Sequence, residues 1–366
     1  RAGPLVAAYL IRPLAGMDLG LVARWRAQPH VARWWGEPSV EPEAEKLADP
    51  RIALWLVEHA GRPFALIQDY AVHDWSPHHF DYLPAGARGM DVFIGEADML
   101  GGGHGPAFIR QHVDQLFDAG VPAMGIDPHP DNASARRAFA KAGFTFVGGP
   151  LKTRWGRAVL MDRFARPADR IVGLYERRAA AWTGARESSG AFVEQGWLDR
   201  FRALVAPAGD VLDIGCGGGE PIARYLAGLG HAVTGVDASP AMVAMFQARL
   251  PGHQALVADM RSLDLGRRFG GLLAWDSFFH LDHDAQRRMF PIFRAHARPR
   301  AALMFTSGPA HGEAIGRLEG EPLYHASLAA EEYRDLLAAN GFEVVAHKAE
   351  DADCGGRTVW LARLRP

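Results

Sequence analysis

The sequence predicts two α/β domains in one chain of 366 residues. Three observations predict this. A strand-like run, Val211 to Ile214, enters the glycine turn Gly215-Cys216-Gly217-Gly218-Gly219, and Glu220-Pro221 then opens a helix. In the first half a second turn, Leu100-Gly101-Gly102-Gly103-His104-Gly105, again stands between a strand and a helix. A charged connector broken by Pro167, Asp162 to Val172, separates the two halves. The expected boundaries are 1–165 for the first domain, 166–172 for the linker and 173–366 for the second. Each part is long enough to bury its own core.

Charge excludes some partners. With 40 basic and 42 acidic residues, the chain has no excess of charge with which to attract nucleic acid. No apolar run is long enough to cross a bilayer, and nothing reads as a signal peptide. Two widely separated cysteines, Cys216 and Cys354, make no disulfide framework, which points to a reducing cytoplasm. His73, His78 and His79 invite a metal reading, but they lack neighbouring cysteines and helical spacing, so no metal is expected.

In the first half, Leu5 to Ile11 reads as a strand and Met17 to Ala27 as a helix ended by Gln28-Pro29. His30 to Gly36 is a short aromatic helix. Ile52 to Glu58 and Pro63 to Val72 form a hairpin turning at Ala60-Gly61, and Gly89 to Gly95 is a further strand. A helix from Pro106 to Ala119 follows the glycine turn, whose bare backbone suits phosphate groups. Then come a strand, Pro122 to Ile126, the run Asp127-Pro128-His129-Pro130-Asp131-Asn132, and a helix to Ala142. Gly143 suits its left-handed cap, and Phe144 starts a strand.

This order resembles the GCN5-related N-acetyltransferases (GNAT), with a mixed α+β sheet. It comes nearest to the aminoglycoside 6′-N-acetyltransferases and the siderophore acyltransferases. The residues that carry it are His30 to Gly36, Arg88-Gly89-Met90-Asp91, Leu100 to Gly105, and Asp127 through Asn132 to Phe144. The resemblance implies acetyl-CoA with its pyrophosphate on the amides of Gly101, Gly102, Gly103, His104 and Gly105. It further implies pantetheine between the strands ending near Gly95 and Asp127, with Asn132 touching the cofactor. The chain departs from the family at Leu100, where Arg or Gln is usual, and at Phe139, where many members carry a Tyr credited with protonating the departing thiolate.

The chemistry can also be stated from the residues. An amine with a pKa near roughly 10 is protonated at neutral pH and needs a carboxylate to take its proton. Asp91 and Asp127, at neighbouring strand ends, are the candidates. Glu37, Glu41, Glu43, Asp69, Asp74 and Asp81 are candidates to line a site for a cationic sugar or polyamine, although such a run also reads as a solvated face. Trp34 and Trp35 are candidate walls of that pocket, or core.

In the second half, helical segments at Val172 to Ala185 and Phe192 to Val205 precede the glycine turn. A strand, His231 to Val236, ends in Asp237, and Gln254 to Ala258 ends in Asp259-Met260. Ser239-Pro240 is a clean helix start. Asp213-x-Gly215-x-Gly217-x-Gly219 with two aspartates at strand ends resembles the class I S-adenosylmethionine-dependent methyltransferases, which have a Rossmann-like seven-stranded sheet. The resemblance implies that Asp213, Gly215, Gly217 and Gly219 form the cofactor loop, that Asp237 chelates the ribose hydroxyls and that Asp259-Met260 read the adenine. A fourth strand, Gly271 to Trp275, ends at Asp276 and His280. The resemblance implies that this strand end faces the methyl group, so Asp276 is a candidate cofactor contact, and Asp276 or His280 is a candidate to orient the acceptor or take its proton; Asp276 also reads as a cap of the following helix. Tyr175, Arg186 and Trp197 are candidates for the methionine end. After a helix (Asp282 to Ala297) and a strand (Ala301 to Thr306), Ser307 to Leu328 reads as a long loop and substrate lid, holding His311, Glu313, Tyr324 and His325. Glu331 to Asn340 is a helix, and Phe342 to His347 and Thr358 to Leu364 are the last strands.

The sequence thus reads as a bifunctional transferase: an acetyl-CoA-dependent N-acetyltransferase fused to an S-adenosylmethionine-dependent methyltransferase, both acting on small amine-bearing molecules. The alternative is an active methyltransferase with a non-catalytic acetyltransferase-like binding module, motivated by Leu100 and Phe139. Macromolecular targets are disfavoured by the neutral charge.

Overall fold

The computed structural model describes residues 9–35, 43–188 and 192–366. Two compact units divide between Pro167 and Ala168.

The first unit runs β1 (Leu10–Pro13), α1 (Leu19–Arg26), α2 (Pro29–Trp35), α3 (Glu43–Ala48), β2 (Ile52–His59), β3 (Arg62–Ala71), β4 (Arg88–Ile94), α4 (His104–Asp118), β5 (Ala123–Ile126), α5 (Ala133–Lys141), β6 (Thr145–Thr153) and β7 (Gly156–Phe164). One sheet takes all seven strands in the order β1-β2-β3-β4-β5-β7-β6. Ala60 and Gly61 both have positive φ, 50° and 77°, as the mirror-image turn of a two-residue hairpin requires, and they join β2 to β3. Gly143, at φ 98°, ends α5 as expected. The expected first strand starts later than read, at Leu10, and Leu5 to Ala8 lie outside the described residues.

Among the described residues, β4 and β5 form the one parallel pair of this sheet, and they pair only at Arg88↔Met124 and Gly89↔Gly125 before parting. Side chains alternate along strands, so the register puts Gln68, Tyr70, Gly89, Asp91, Gly125 and Asp127 on one face. The core includes Phe64, Ile67, Phe108, Val113 and Met124, and Phe139 is part of it.

The second unit runs α6 (Ile171–Ser188), α7 (Gln195–Arg202), β8 (Asp210–Ile214), α8 (Ile222–Gly228), β9 (Ala232–Asp237), α9 (Pro240–Arg249), β10 (Gln254–Val257), β11 (Phe269–Ala274), α10 (His283–His296), β12 (Ala297–Ser307), β13 (Gly312–Leu318), β14 (Glu321–Ser327), α11 (Ala330–Ala339), β15 (Phe342–Asp351) and β16 (Arg357–Leu364). The sheet order is β10-β9-β8-β11-β12-β16-β15, with β16 antiparallel to both neighbours and the first five strands parallel. Chain order reverses direction between β9-β8 and β11, so the crevice at these strand ends is a natural ligand site.

One expectation is corrected. Ser307 to Leu328 is not an irregular lid: it holds the antiparallel ribbon β13–β14, turned at Glu319-Gly320, both with positive φ. Leu318, Leu323, Tyr324 and Ala326 bury themselves against Ile171 and Leu174 of α6. A contact so distant in sequence leaves no local signal of a ribbon.

Candidate active sites

In the first unit the shared face of β3, β4 and β5 floors a cavity of about 470 Å³. Asp91 and Asp127 line it beside Tyr70 and Gln68, and the indoles of Trp34, Trp35, Trp75 and Trp155 form walls. Gln68 Nε2 donates to Asp91 Oδ2 at 2.9 Å. His79 Nε2 stands 3.1 Å from Asp127 Oδ2. Gly89 is small because the Tyr70 ring occupies its side-chain space: a Cβ there would lie 2.4 Å from Tyr70 Cζ. Burial pushes the Tyr70 phenol well up, and the charges of Asp91 and Asp127 push it further.

Other sequence candidates lie elsewhere. Asp69 is buried away from the cavity, accepting from Trp55 Nε1 at 2.6 Å and pairing with Arg88 and His112. Burial works against its ionised form, but His112 and Arg88 outweigh it and lower the carboxyl. It is a structural anchor because three donors fill its oxygens. Glu43 forms a buried pair with Arg26, while Asp81 pins its own loop by accepting from Ser76 Oγ and the His78 N–H. Asp74 is exposed, and Gly36, Glu37 and Glu41 lie outside the described residues.

At the glycine turn, Gly101 and Gly103 take φ of 78° and 82°, with open space where a Cβ would stand. Gly102 and Gly105 complete the turn and the first turn of α4, whose leading N–H groups have no partner within the helix. This open, donor-rich turn beside the parting strands fits an extended donor with a phosphate-bearing tail. The His104 ring turns instead to Tyr9, with Nδ1 3.0 Å from its hydroxyl. Asn132 caps α5, its oxygen accepting from the Ala135 N–H at 3.1 Å. That oxygen is thus engaged by the helix.

In the second unit, Gly215, Gly217 and Gly219 have φ of 77°, 51° and 82°. The Gly215 and Cys216 N–H groups donate to Val236 O, folding the turn back on β9. Asp237 accepts from the Gly217 N–H at 3.0 Å and the Ser239 N–H at 2.9 Å, while burial raises its carboxyl. Asp213 is fully enclosed, and burial together with Asp237 raises it to about 7. The cavity above the turn takes in Asp213, Asp237, Asp259, Met260, Asp276, His280 and, from α6, Tyr175. Two carboxylates beside a turn whose Gly215 and Gly219 have no room for a Cβ fit a ribose-bearing cofactor.

Around it the structure amends several roles. Asp259 is held by Arg261 on both oxygens; burial opposes its charge, but Arg261 wins and lowers the carboxyl. Asp276 is clamped by Arg357 at 2.8–3.0 Å and does not cap the following helix, a role Asp282 fills for α10. His280 is buried. Its Nδ1 donates to Tyr324 O at 2.8 Å, so Nε2 accepts from the Tyr175 hydroxyl at 2.9 Å. Burial lowers the imidazole to about 4. Tyr324 serves through this carbonyl only, for its own hydroxyl donates to Glu313 and its ring is buried. His311 is exposed and stacks on His283, outside the cavity. Trp197 is core, its Nε1 donating to Asp351 at 2.8 Å. The Arg186 side chain lies outside the described residues.

Sequence reasoning missed Gln68, Tyr70, Trp75 and Trp155 in the first site, and Trp182, Thr183 and Arg357 around the second. A glycine inside a strand, Gly89, marked the close approach that Tyr70 fills. Arg357 carried no signal. Among the described residues, no helix is long and apolar enough to cross a membrane.

The family described as "Acetyltransferase (GNAT) domain" matches residues 15–149, and "Methyltransferase domain" matches residues 211–300. Aminoglycoside N(6')-acetyltransferase type 1 of Klebsiella pneumoniae is 29% identical over 165 residues, 41% of this chain and 80% of that protein. The kanamycin resistance protein of Rhizobium radiobacter is 40% identical over 77 residues, 21% of this chain and 70% of that protein. Among solved structures, aminoglycoside acetyltransferase AAC(6')-Ib in complex with coenzyme A and kanamycin has a TM-score of 0.39 and 28% identity, covering 43% of this chain and 94% of that one. SAM-bound CalS10, an amino pentose methyltransferase from Micromonospora echinaspora, has a TM-score of 0.41 and 22% identity, covering 50% and 96%. The chain belongs to the GNAT acetyltransferases through its first unit, and it carries a methyltransferase domain in its second.

Proposed function

We propose that the chain is a bifunctional transferase: an acetyl-CoA-dependent N-acetyltransferase of an amine-bearing, aminoglycoside-like small molecule, joined to an S-adenosylmethionine-dependent methyltransferase of a small molecule. The observation that carries the first half is the placing of Asp91 and Asp127 where two parallel strands part, on the wall of an aromatic cavity. The similarity of the first unit to aminoglycoside acetyltransferases supports that substrate class.

Acetyl-CoA, when bound, supplies an acyl group as a thioester. The chain's own residues do the rest. Indole faces and carboxylates hold a cationic acceptor, and Asp91 or Asp127 accepts the amine's proton directly or through water. In the second unit the bare turn and Asp213 and Asp237 would hold S-adenosylmethionine, which supplies an electrophilic methyl group. Methyl transfer chiefly requires an in-line approach, and the neutral Tyr175–His280 pair orients the acceptor for it. Asp259, Met260 and Asp276 remain the further candidates for contact with S-adenosylmethionine, and Gly101 to Gly105 and Asn132 for contact with acetyl-CoA. The two buried free thiols suit a reducing cytoplasm.

The test is turnover by the whole chain. With acetyl-CoA and kanamycin, free thiol and a +acetyl product are expected; with S-adenosylmethionine and a panel of aminosugars, a +methyl product. Acetyl-CoA binding without thiol release from any amine would establish the non-catalytic module instead. Against that module stand the two carboxylates in the cavity, and the tyrosine absent at Phe139 is dispensable because water can protonate a departing thiolate.

A further inference from the structure

The loop after β3 sets two adjacent histidines, His78 and His79, behind Asp127, which lines the cavity of the first unit. Its anchor is Phe80, whose ring fills the space left by Gly125: a Cβ there would lie 2.8 Å from the ring. Asp127 follows Gly125 by two residues on the same face. Phe80 on Gly125 therefore sets His79 against Asp127. The two imidazoles lie 4.1 Å apart, His78 4.9 Å and His79 5.6 Å from Trp155, which closes them in from the β6–β7 turn.

The histidines are not equivalent. His78 Nδ1 accepts from the Phe80 N–H at 3.1 Å, which leaves the proton on Nε2, 3.5 Å from the Tyr70 hydroxyl. Burial, with His79 beside it, lowers His78 to about 4. His79 Nε2 is buried, has no aligned hydrogen bond, and stands 3.1 Å from Asp127 Oδ2. Such a contact is short enough to tighten when a ligand fills the cavity. Asp127 itself reaches the cavity.

We propose that His79 is a positioning residue for Asp127, holding Oδ2 so that the other carboxylate oxygen is presented to the acceptor amine. This rests on the reading of Asp127 as a proton acceptor. The titratable and charged groups around the pair are the neutral His78 and Tyr70 and, across the loop, His73, Asp81 and Arg154. No bond to carbon is made or broken by His79. The amine proton goes to Asp127, and the imidazole fixes the carboxylate that receives it.

The experiment is a kinetic cycle on the whole chain with acetyl-CoA and kanamycin, using His79→Phe, His79→Gln, Asp127→Asn and the double variant His79→Phe/Asp127→Asn. His79→Phe is expected to lower kcat about tenfold with KM changed less than about threefold. His79→Gln, which keeps an N–H, should recover most of that loss. The double variant should be no slower than Asp127→Asn. A decrease that multiplies the two single losses, or full activity in His79→Phe, overturns the proposal. Full activity in Asp127→Asn would instead overturn the reading of Asp127. The ¹⁵N resonance of His79 Nε2 provides a measurement free of turnover: the nitrogen stands 3.1 Å from Asp127 Oδ2, so Asp127→Asn should shift it, and an unmoved resonance overturns the pairing whichever amine is the substrate.

Discussion

Gly215 lies directly against Ser277: a Cβ on the glycine would stand 2.3 Å from that of the serine, whose hydroxyl donates to Ile214 O at 2.7 Å. The φ of 77° at Gly215 adds backbone strain for any larger residue. Gly215→Ala is therefore expected to weaken S-adenosylmethionine binding at least ~tenfold, the turn having to shift from the ribose carboxylates. Titration calorimetry with each cofactor is the check. Affinity for acetyl-CoA should not change.

Asp237→Ala should abolish S-adenosylmethionine binding and leave acetyl-CoA binding in place, because Asp237 belongs to the second sheet alone. Paired titrations of one preparation would show it. Joint loss of both affinities would contradict two separate cofactor sites.

Asp213 gives a stability prediction with a definite sign. Its folded carboxyl is raised to about 7 from 3.8, so the folded state binds the proton more tightly. Its stabilising contribution is complete below the unfolded value and is lost as pH rises through about 7. Full ionisation would cost on the order of 4 kcal/mol, at 1.36 kcal/mol per pH unit. Asp213→Asn should raise the urea midpoint of the cofactor-free protein at pH 8 and leave it nearly unchanged at pH 4. Equal midpoints at pH 8 would remove the argument.

For His280 the window runs the other way. A histidine lowered to about 4 contributes stability above its unfolded value near 6.5, and that contribution is lost as pH falls towards 4. Methyl transfer should hold its rate to about pH 5. Tyr175→Phe, which removes the donor to Nε2, should slow it by roughly ten- to a hundredfold with cofactor affinity within about threefold. Rates across pH 5–8 settle both points.

Asp69→Ala should destabilise the first unit by about 3–5 kcal/mol, the usual cost of stripping one partner from a buried charge network. The lowered carboxyl places its contribution above the unfolded value, to be lost as pH falls through the folded one. Thermal melts across acid pH read the effect. The KM for the amine should be unchanged wherever the protein is folded.

Much of this architecture was legible because backbone chemistry is local. Gly143 after α5, Ala60-Gly61 between β2 and β3, and the alternation of glycines at 215, 217 and 219 each announce a conformation that few other residues adopt. The positions of Asp237 and Asp259 were legible for the same reason, since each stands at or just past a strand end. Side-chain partners were not. Asp69 and Asp91 look alike in sequence, yet the register sends one among Trp55, Arg88 and His112 and the other to the cavity. The ribbon β13–β14 was hidden because its apolar residues meet α6 from more than a hundred positions away. Tyr324 illustrates the limit: its ring looked functional, and its carbonyl is what meets His280.

The early parting of β4 and β5 has a consequence for what the first unit can recognise. Beyond Gly89 and Gly125 the facing edges present main-chain groups that no neighbouring strand answers. A slender guest bearing its own amides can complete the ladder there, whatever side chains surround it. A donor held there would be read by peptide geometry, which side-chain substitution leaves intact, whereas an acceptor met by the surrounding side chains would change with them.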